Sequence, residues 1–480
     1  MLLVNIDPRE AFGLDSFAVI SYTATMKNAA SLLAAIKKGT FHTVILAMPD
    51  MQGRWIGKRF TGRHFAKSVA AHGTHACAYL LTVDMEMDPV PGFALTSWDK
   101  GYQDFALIPD FSTWRGLAWL PGTALVVADV MDAAHEKPIA VSPRQILKDQ
   151  VARAAAKGWS LKMATELEFY LLRETYESAQ KKNWTALEHY GTYIEDYHIL
   201  QGTREEPVVG DIRNLMEASG VPIENSKGEW GPGQHEINLE YSDPVSMADL
   251  HTVYKHGAKE IAMQKGAALT FMAKYSDKLA GSSCHIHASL WDKAGRRSAF
   301  SSGGRGKAGT RPTKEFRWFL GGAMSLAREF SLFFAPTINS YKRYQAATFA
   351  PTRIAWARDN RTCGFRVVGE GDSLRIENRL PGADANPYLA LAATIAAGLH
   401  GIDHKIDPPA ELAGDAYKAK VSPVPKTLHE AIGLFEKSAA AKAAFGAEVH
   451  AHYLHAAQAE QSAADRAVTD WERGRYFERI

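Results

Sequence analysis

Four stretches of the chain alternate polar and apolar residues with a period of two. In Thr165–Leu172, Glu166, Glu168 and Tyr170 share one face, with Leu167, Phe169 and Leu171 on the other. In Gln234–Glu240, Glu236, Asn238 and Glu240 oppose Ile237 and Leu239. In Cys284–Leu290, His285, His287 and Ser289 fall together, and in Leu374–Leu380, Arg375, Glu377 and Arg379 do so. This alternation predicts four strands, each backing a row of ionisable groups with an apolar row. Glu229 precedes Glu236 by seven residues, across the turn Gly231-Pro232-Gly233.

Other patterns fill in the frame. An apolar stripe (Ala29, Leu32, Leu33, Ile36) predicts a helix over 28–38, and Val44–Ala47 a strand. The turn-rich 49–54 and the basic Lys58-Arg59-Phe60 read as a solvated hairpin. Runs at 105–108 and 124–130 predict two more strands, making a small sheet with one helix. Residues 137–142 form the junction, giving an N-terminal domain over 1–138 and a second over 139–480. Ser142 as N-cap and Pro143 at the first position open a helix. It buries Ile146, Leu147, Val151 and Ala154 and ends at Gly158. Ser242-Asp243-Pro244 opens another, with Leu250, Val253, Tyr254, Ala258 and Ile261 inward and Gly266 at its end. Residues 174–208 show no period and read as a long excursion. The Ala-rich 426–470 reads as helical, with His450, His452 and His455 on a solvated helix face. Ser301–Lys307 lacks the spacing of a phosphate loop and reads as a mobile surface loop.

Composition narrows the class. The 480 residues exceed one ordinary core. With 46% apolar and 22% charged residues, the chain fits a soluble globular enzyme. A formal net charge of +2 without a basic run argues against nucleic-acid or membrane-surface binding. No apolar run reaches membrane-spanning length. Met1–Asp7 lacks the features of a secretory signal. Cys77, Cys284 and Cys363 lack paired spacing and read as free thiols of a reducing, cytoplasmic compartment.

The polar rows carry the chemistry. Glutamates two apart on a strand lie roughly 7 Å from each other and repel on a half-buried face unless a cation intervenes. Alone, the Glu166–Glu168 stretch also fits an exposed edge strand. Four such rows converging would be costly without metal ions and an anionic ligand. Glutamates and histidines without thiolates favour Mg²⁺ or Mn²⁺. Arginines match phosphate or carboxylate. Together these are parts for phosphoryl transfer.

In order and spacing from about 142 to 400, several segments resemble the glutamine synthetase family. They are Glu166–Phe169, Gly231–Glu236, His285–Leu290, Asn339–Arg343, Arg358–Arg361, Arg375–Arg379 and Asn386-Pro387-Tyr388. Asp104–Pro109-Asp110 and Ser112-Thr113 resemble more loosely the end of the family's β-grasp domain. The resemblance implies an α+β fold, a β-grasp domain followed by a catalytic domain with a curved antiparallel sheet and flanking helices. It implies ATP, L-glutamate and two to three Mg²⁺ or Mn²⁺ ions, and a homo-oligomer of two stacked hexamers. One ion would be held by Glu168, Glu229 and Glu236, another by Glu166, His285 and Glu377. Arg361 and Arg366 would meet the transferred phosphate, with Arg375 near the nucleotide. Glu224, Tyr241, His287 and Ser289 would line the nucleotide pocket, with His287 equally readable as a structural histidine. Gly281, Arg343 and Arg379 would grip glutamate.

The chain departs from the family pattern at several positions. Ammonia-using members carry a glutamate six residues after the arginine of the Asn339–Arg343 segment; here that residue is Phe349. Ala280 stands where the family has asparagine, and the tyrosine motif that some bacterial members adenylylate is missing around Tyr417. Asp99 is the candidate for the family's N-terminal catalytic aspartate. Ammonia arrives as ammonium and needs a negative group to hold it and take its proton. Phe349 offers an apolar or π surface instead. The expectation is therefore an amine-catabolic ligase making a γ-glutamylamide from a primary organic amine, among polyamines, ethanolamine, alkylamines and anilines. The alternatives are glutamine synthesis with ammonia and a catalytically inactive scaffold.

Overall fold

The computed structural model describes residues 27–302 and 311–480. The reading of Met1–Asp7 and most of Ser301–Lys307 lie outside these residues. The helix Ala29–Lys37 starts from a capping box in which Asn28 Oδ1 accepts from Ser31 N at 2.9 Å. Strands β1 (Thr43–Pro49), β2 (Trp55–Thr61), β3 (Thr74–Cys77), β4 (Asp104–Gly116) and β5 (Thr123–Met131) form one sheet in the order β2-β1-β5-β4-β3. The Lys58–Arg59 stretch lies exposed on β2.

The second sheet carries the four polar rows. It contains β6 (Trp159–Leu172), β7 (Ile223–Gly228), β8 (Gln234–Leu239), β9 (Ala268–Thr270) and β10 (Cys284–Asp292). A two-residue pair, β11 (Ser301–Ser302) and β12 (Arg311–Pro312), stands apart, and β13 (Trp356–Arg358), β14 (Phe365–Val368) and β15 (Arg375–Asn378) complete the large sheet. Its order is β13-β14-β15-β10-β6-β8-β7, with β9 on β6, antiparallel except between β13 and β14. Helices cover the apolar face. Helix Pro244–Gln264, capped by Asp243, buries Leu250, Val253, Tyr254, Ala258 and Ile261 as the pattern predicts. Its His251 Nδ1 meets Thr165 Oγ1 on β6 at 3.0 Å. Helix Pro387–His404 is buried almost throughout, and Ala-rich helices run over Leu428–Lys437, Ala439–Phe445 and Ala447–Arg466.

Polar contacts tie the smaller sheet and its loops to the helices behind the larger one. Arg144, on helix Pro143–Ala156, pairs with Asp110 of β4 at 2.8 Å, Asp129 of β5 at 2.5 Å and Asp249 of helix Pro244–Gln264 at 2.9 Å. Asn386 Nδ2 donates to the carbonyls of Asp50 and Met51. There Gly53, at φ +79°, takes a left-handed turn close against Asn386, where a Cβ would be both strained and tightly packed.

Three sequence expectations are corrected. Ser142 is the residue before the helix, but its hydroxyl makes no capping bond. Residues 174–208 are not an irregular excursion throughout: Tyr176–Lys181 and Ile199–Ala218 are helical. The second helix buries Gln201 and Glu205 alongside Val208, Val209 and Ile212, and these polar residues break the apolar period. The C-terminal histidines are not a solvated face. His450 stacks on Phe435 with centroids 4.7 Å apart, His452 packs on Phe93 at 4.5 Å, and His455 Nε2 meets the Pro91 carbonyl at 2.8 Å.

Candidate active site

Strand register assembles the polar rows. Glu168 sits opposite Glu236 across β6 and β8, and Glu166 lies between Asn238 on β8 and His285 on β10. His287 on β10 opposes Glu377 on β15, which opposes Arg366 on β14. Cross-strand partners point to the same face, so the rows become one continuous polar floor.

Three ligand-like groups lie on it, each with one donor atom per residue and all such atoms within 4.8 Å: Glu168–Glu229–Glu236, Glu166–Glu236–His285 and Glu166–His287–Glu377. The first matches the expected set. The second expected set is divided: His285 Nδ1 lies 3.3 Å from Glu166 and 3.6 Å from Glu377, while His287 Nε2 approaches Glu166 at 2.8 Å. His287 thus joins the carboxylate floor, and its Nδ1 accepts from Arg375 Nε at 3.1 Å. Second contacts orient the floor: Ser283 N and Oγ donate to Glu168 at 2.8 and 2.5 Å.

The electrostatics divide the floor in two. Burial and the neighbouring Glu168 push Glu229 up to about 7. Burial, Glu229 and Glu166 hold Glu236 well above the usual carboxylate range. On the other side burial opposes ionisation of Glu166, yet hydrogen bonds from His285 and His287 hold it well below its ordinary value. Burial likewise opposes ionisation of Glu377, but the Arg379 charge, with help from His285, brings it down to about 2. Arg366 Nη1 donates to Glu377 at 3.0 Å, and Arg379 pairs with the same carboxylate.

Other expected residues divide between two clefts along this floor. Arg361, Arg366, Arg379, Phe349 and Glu229 line one; Tyr241, Ser289, Arg375 and His287 line the other, and Glu224 borders both. The second cleft holds 930 Å³, room for a nucleotide-sized ligand. Arg343 does not reach either. It is buried and donates to the Leu380 and Arg379 carbonyls, both at 2.9 Å, so it holds the turn that carries Arg379. Gly281 lies against it: a Cβ there would fall 2.6 Å from Arg343 Cγ. Asp99 stands on an exposed turn and lines neither cleft within one chain.

Two cleft residues escaped the sequence reading. Lys227 pairs with Glu229 and lies over the Tyr197 ring at 4.6 Å; its alternation with Glu229 was the available signal. Trp230, 44% exposed, meets the 46% exposed Phe349 edge to face. A bulky aromatic next to the ligand-like Glu229 was the only sequence clue to it.

A floor of carboxylates, imidazoles and arginines on an antiparallel sheet, behind a smaller N-terminal sheet, defines a class of ligase. The chain belongs to the glutamine synthetase family: the family model of the glutamine synthetase catalytic domain matches residues 140–476. It is 51% identical over 451 residues to γ-glutamylethanolamide synthetase GlnA4 of Streptomyces coelicolor, covering 94% of this chain and 95% of that one. It is 36% identical over 452 residues to glutamate–isopropylamine ligase of a Pseudomonas species, covering 93% and 97%. Among solved structures, GmaS in complex with ADP superposes with a TM-score of 0.81 at 29% identity, covering 94% of this chain and 100% of that one.

Proposed function

We propose that this chain is an ATP-dependent γ-glutamylamide synthetase, joining the γ-carboxylate of L-glutamate to an organic primary amine. The carrying observation is the aromatic pair Trp230–Phe349 at the cleft edge, where an ammonia-using relative needs a carboxylate. The names of the two relatives at 51% and 36% identity, an ethanolamide synthetase and an isopropylamine ligase, support the same reading.

The donor set fits hard divalent ions. Glu168, Glu229 and Glu236 crowd their oxygens together, and the raised Glu229 and Glu236 are what carboxylates show when no cation balances them. Oxygen and imidazole donors without thiolate suit Mg²⁺ or Mn²⁺. Glu168, Glu229 and Glu236 would hold one ion, and Glu166 with His285 and Glu377 another, His287 steadying Glu166 through its Nε2. Bound there, such ions supply neutralisation of phosphoryl charge.

The residues then divide the work. In the first step a γ-carboxylate oxygen of glutamate bonds to the γ-phosphorus of ATP and ADP departs, leaving γ-glutamyl phosphate. In the second the amine nitrogen bonds to the acyl carbon, phosphate leaves and the ammonium proton is released. Arg361 and Arg366 would face the transferred phosphoryl group, and Arg375, Tyr241, Ser289 and Glu224 the nucleotide. Arg379 would face glutamate while Arg343 and Gly281 set its position. The Trp230 and Phe349 rings would receive the amine substituent.

The division at residues 138 and 139, a cytoplasmic location and a ring of two stacked hexamers belong to the same proposal. The family match from residue 140 and the free thiols Cys77, Cys284 and Cys363 support the first two. In the ring, Asp99 would act in a neighbouring subunit's cleft; an active monomer in light scattering overturns that. An amine panel scored by phosphate release tests the reaction. A higher kcat/KM for ammonia than for ethanolamine, isopropylamine, putrescine and aniline sinks it.

A further inference from the structure

Behind the strand that carries Glu236 lies a second cluster, which reaches the first cleft's lining only at His235. Glu195, on the segment before helix Ile199–Ala218, Glu205 on that helix and His235 on β8 are 1%, 0% and 2% exposed. One donor atom from each lies within 4.8 Å of the other two. His235 neighbours Glu236 but points to the opposite face of the sheet.

The cluster is short of donors. Glu195 Oε2, Glu205 Oε2, His235 Nε2 and Gln201 Oε1 are all buried with no hydrogen-bond partner among the described residues. The Lys227 backbone engages the His235 ring, leaving Nε2 to face the carboxylates. With the proton on the other nitrogen, Nε2 presents a lone pair, the arrangement in which a histidine ligates a metal. His235 Nε2 lies 3.5 Å from Glu195 Oε2 and closer still to Glu205 Oε2. Burial and the neighbouring Glu195 push Glu205 up to about 9, so in the metal-free fold a proton joins the carboxylates; a cation can take that proton's place.

The chain is shaped around Glu195. Gly233 N donates to its Oε1 at 2.7 Å. A Cβ on Gly191 would fall 2.2 Å from that oxygen, and one on Gly228 would fall 2.6 Å from Glu195 Cβ. Only bare backbone allows so close an approach.

We propose that Glu195, Glu205 and His235 form a structural transition-metal site, best filled by Zn²⁺, with Gln201 Oε1 available as a fourth donor. Two ligands on a tetrahedral ion with bonds of about 2.1 Å stand roughly 3.4 Å apart, close to the Glu195–His235 spacing, while Glu205, in direct contact with His235, must draw back for the ion to enter. Mg²⁺ suits the site poorly, because it demands six near-octahedral oxygen ligands and keeps its waters. The ion would pin the helix and the preceding segment to β8. That segment borders the catalytic cleft: Asp196 N donates to the Glu229 carbonyl at 3.0 Å and Tyr197 N to the Gly228 carbonyl at 3.3 Å. The site is independent of which amine the enzyme uses.

The test starts from the full-length protein stripped of metal, supplied with excess Mg²⁺ and then with buffered Zn²⁺, desalted and measured by elemental mass spectrometry. About one Zn²⁺ per chain is expected to stay bound. Glu205→Gln and Glu195→Gln, checked for folding by circular dichroism, should each lower retention at least about tenfold. Glu168→Gln and Glu377→Gln, which disarm the catalytic floor, should keep it. If the cluster variants do not fold, Co²⁺ in the Glu377→Gln protein decides: an intense visible spectrum of tetrahedral nitrogen–oxygen ligation is expected. Retention below about a tenth of an equivalent by the parent, equal retention in a folded Glu205→Gln protein, or absence of that spectrum overturns the site; shared protons would then join the three groups.

Discussion

The ring of Trp230 meets that of Phe349 edge to face, with centroids 5.6 Å apart and planes at 71°. Phe349 holds this position from a left-handed backbone, at φ +59°, which is rare for a bulky side chain. Strain of about 1–3 kcal/mol persists where the surroundings enforce it, commonly at ligand sites. Arg379 Nη2 donates to the Phe349 carbonyl at 3.4 Å and helps to fix the loop.

An aromatic wall makes the amine substituent part of the recognition. Trp230→Ala should raise the KM for the preferred amine roughly 3- to 30-fold, the range of one aromatic or cation–π contact, and leave the KM for ATP unchanged. Phe349→Glu should shift kcat/KM toward ammonia. Steady-state kinetics with ammonia and the amine panel check both. An unaltered amine KM in Trp230→Ala would remove that ring from the site.

Glu377 is shared by two arginines and lies beside two histidines. Glu377→Ala should lower turnover at least about a thousandfold, because it removes a ligand and leaves Arg366 and Arg379 without their common partner. Glu236→Ala should do comparable damage on the other side of the floor. Phosphate release at saturating Mg²⁺ measures both; near-normal activity in either would dissolve the assigned groups.

Burial holds His452 down to about 4 from an ordinary 6.5. The unfolded chain therefore binds more protons than the folded one between these values, and stability falls as pH drops through that window. The fall amounts to at most about 3 kcal/mol. His452→Met should flatten it. Thermal melts of both proteins at matched pH values cancel other titrating groups, and parallel curves would disprove the assignment.

Arg144→Met should destabilise the protein by about 3–5 kcal/mol, since it strands the buried Asp249 carboxylate beside Asp110 and Asp129. Urea denaturation reads the loss. A change below about 1 kcal/mol would mean that Tyr388, whose hydroxyl donates to Asp249 at 2.6 Å, carries the burden alone.

What the sequence reveals follows from the range of each interaction. A strand's period is local, so Glu166, Glu168, Glu236, His285 and Glu377 are visible as rows facing one way. Their grouping depends on register between strands far apart in the chain, which is why His287 joins Glu166 and Glu377 only in the folded protein. Arg343 has the composition of a substrate grip, yet the carbonyls of Leu380 and Arg379 occupy it. His450 and His452 look solvated on their own helix because Phe435, Phe93 and Met51 arrive from elsewhere in the chain. Glu195 and Glu205 were hidden in residues 174–208, where buried polar side chains erase the hydrophobic signal.

Arg144 gives its one guanidinium to two carboxylates of the smaller sheet and to the buried Asp249 on the helix behind the larger one, so the smaller sheet cannot rock against that layer without breaking charge contacts. The two sheets therefore behave as a single anvil. Whatever shuts the cleft during turnover must come from lighter parts hung on it: the strained turn carrying Phe349, the segment through Asp196 and Tyr197, or a neighbouring subunit.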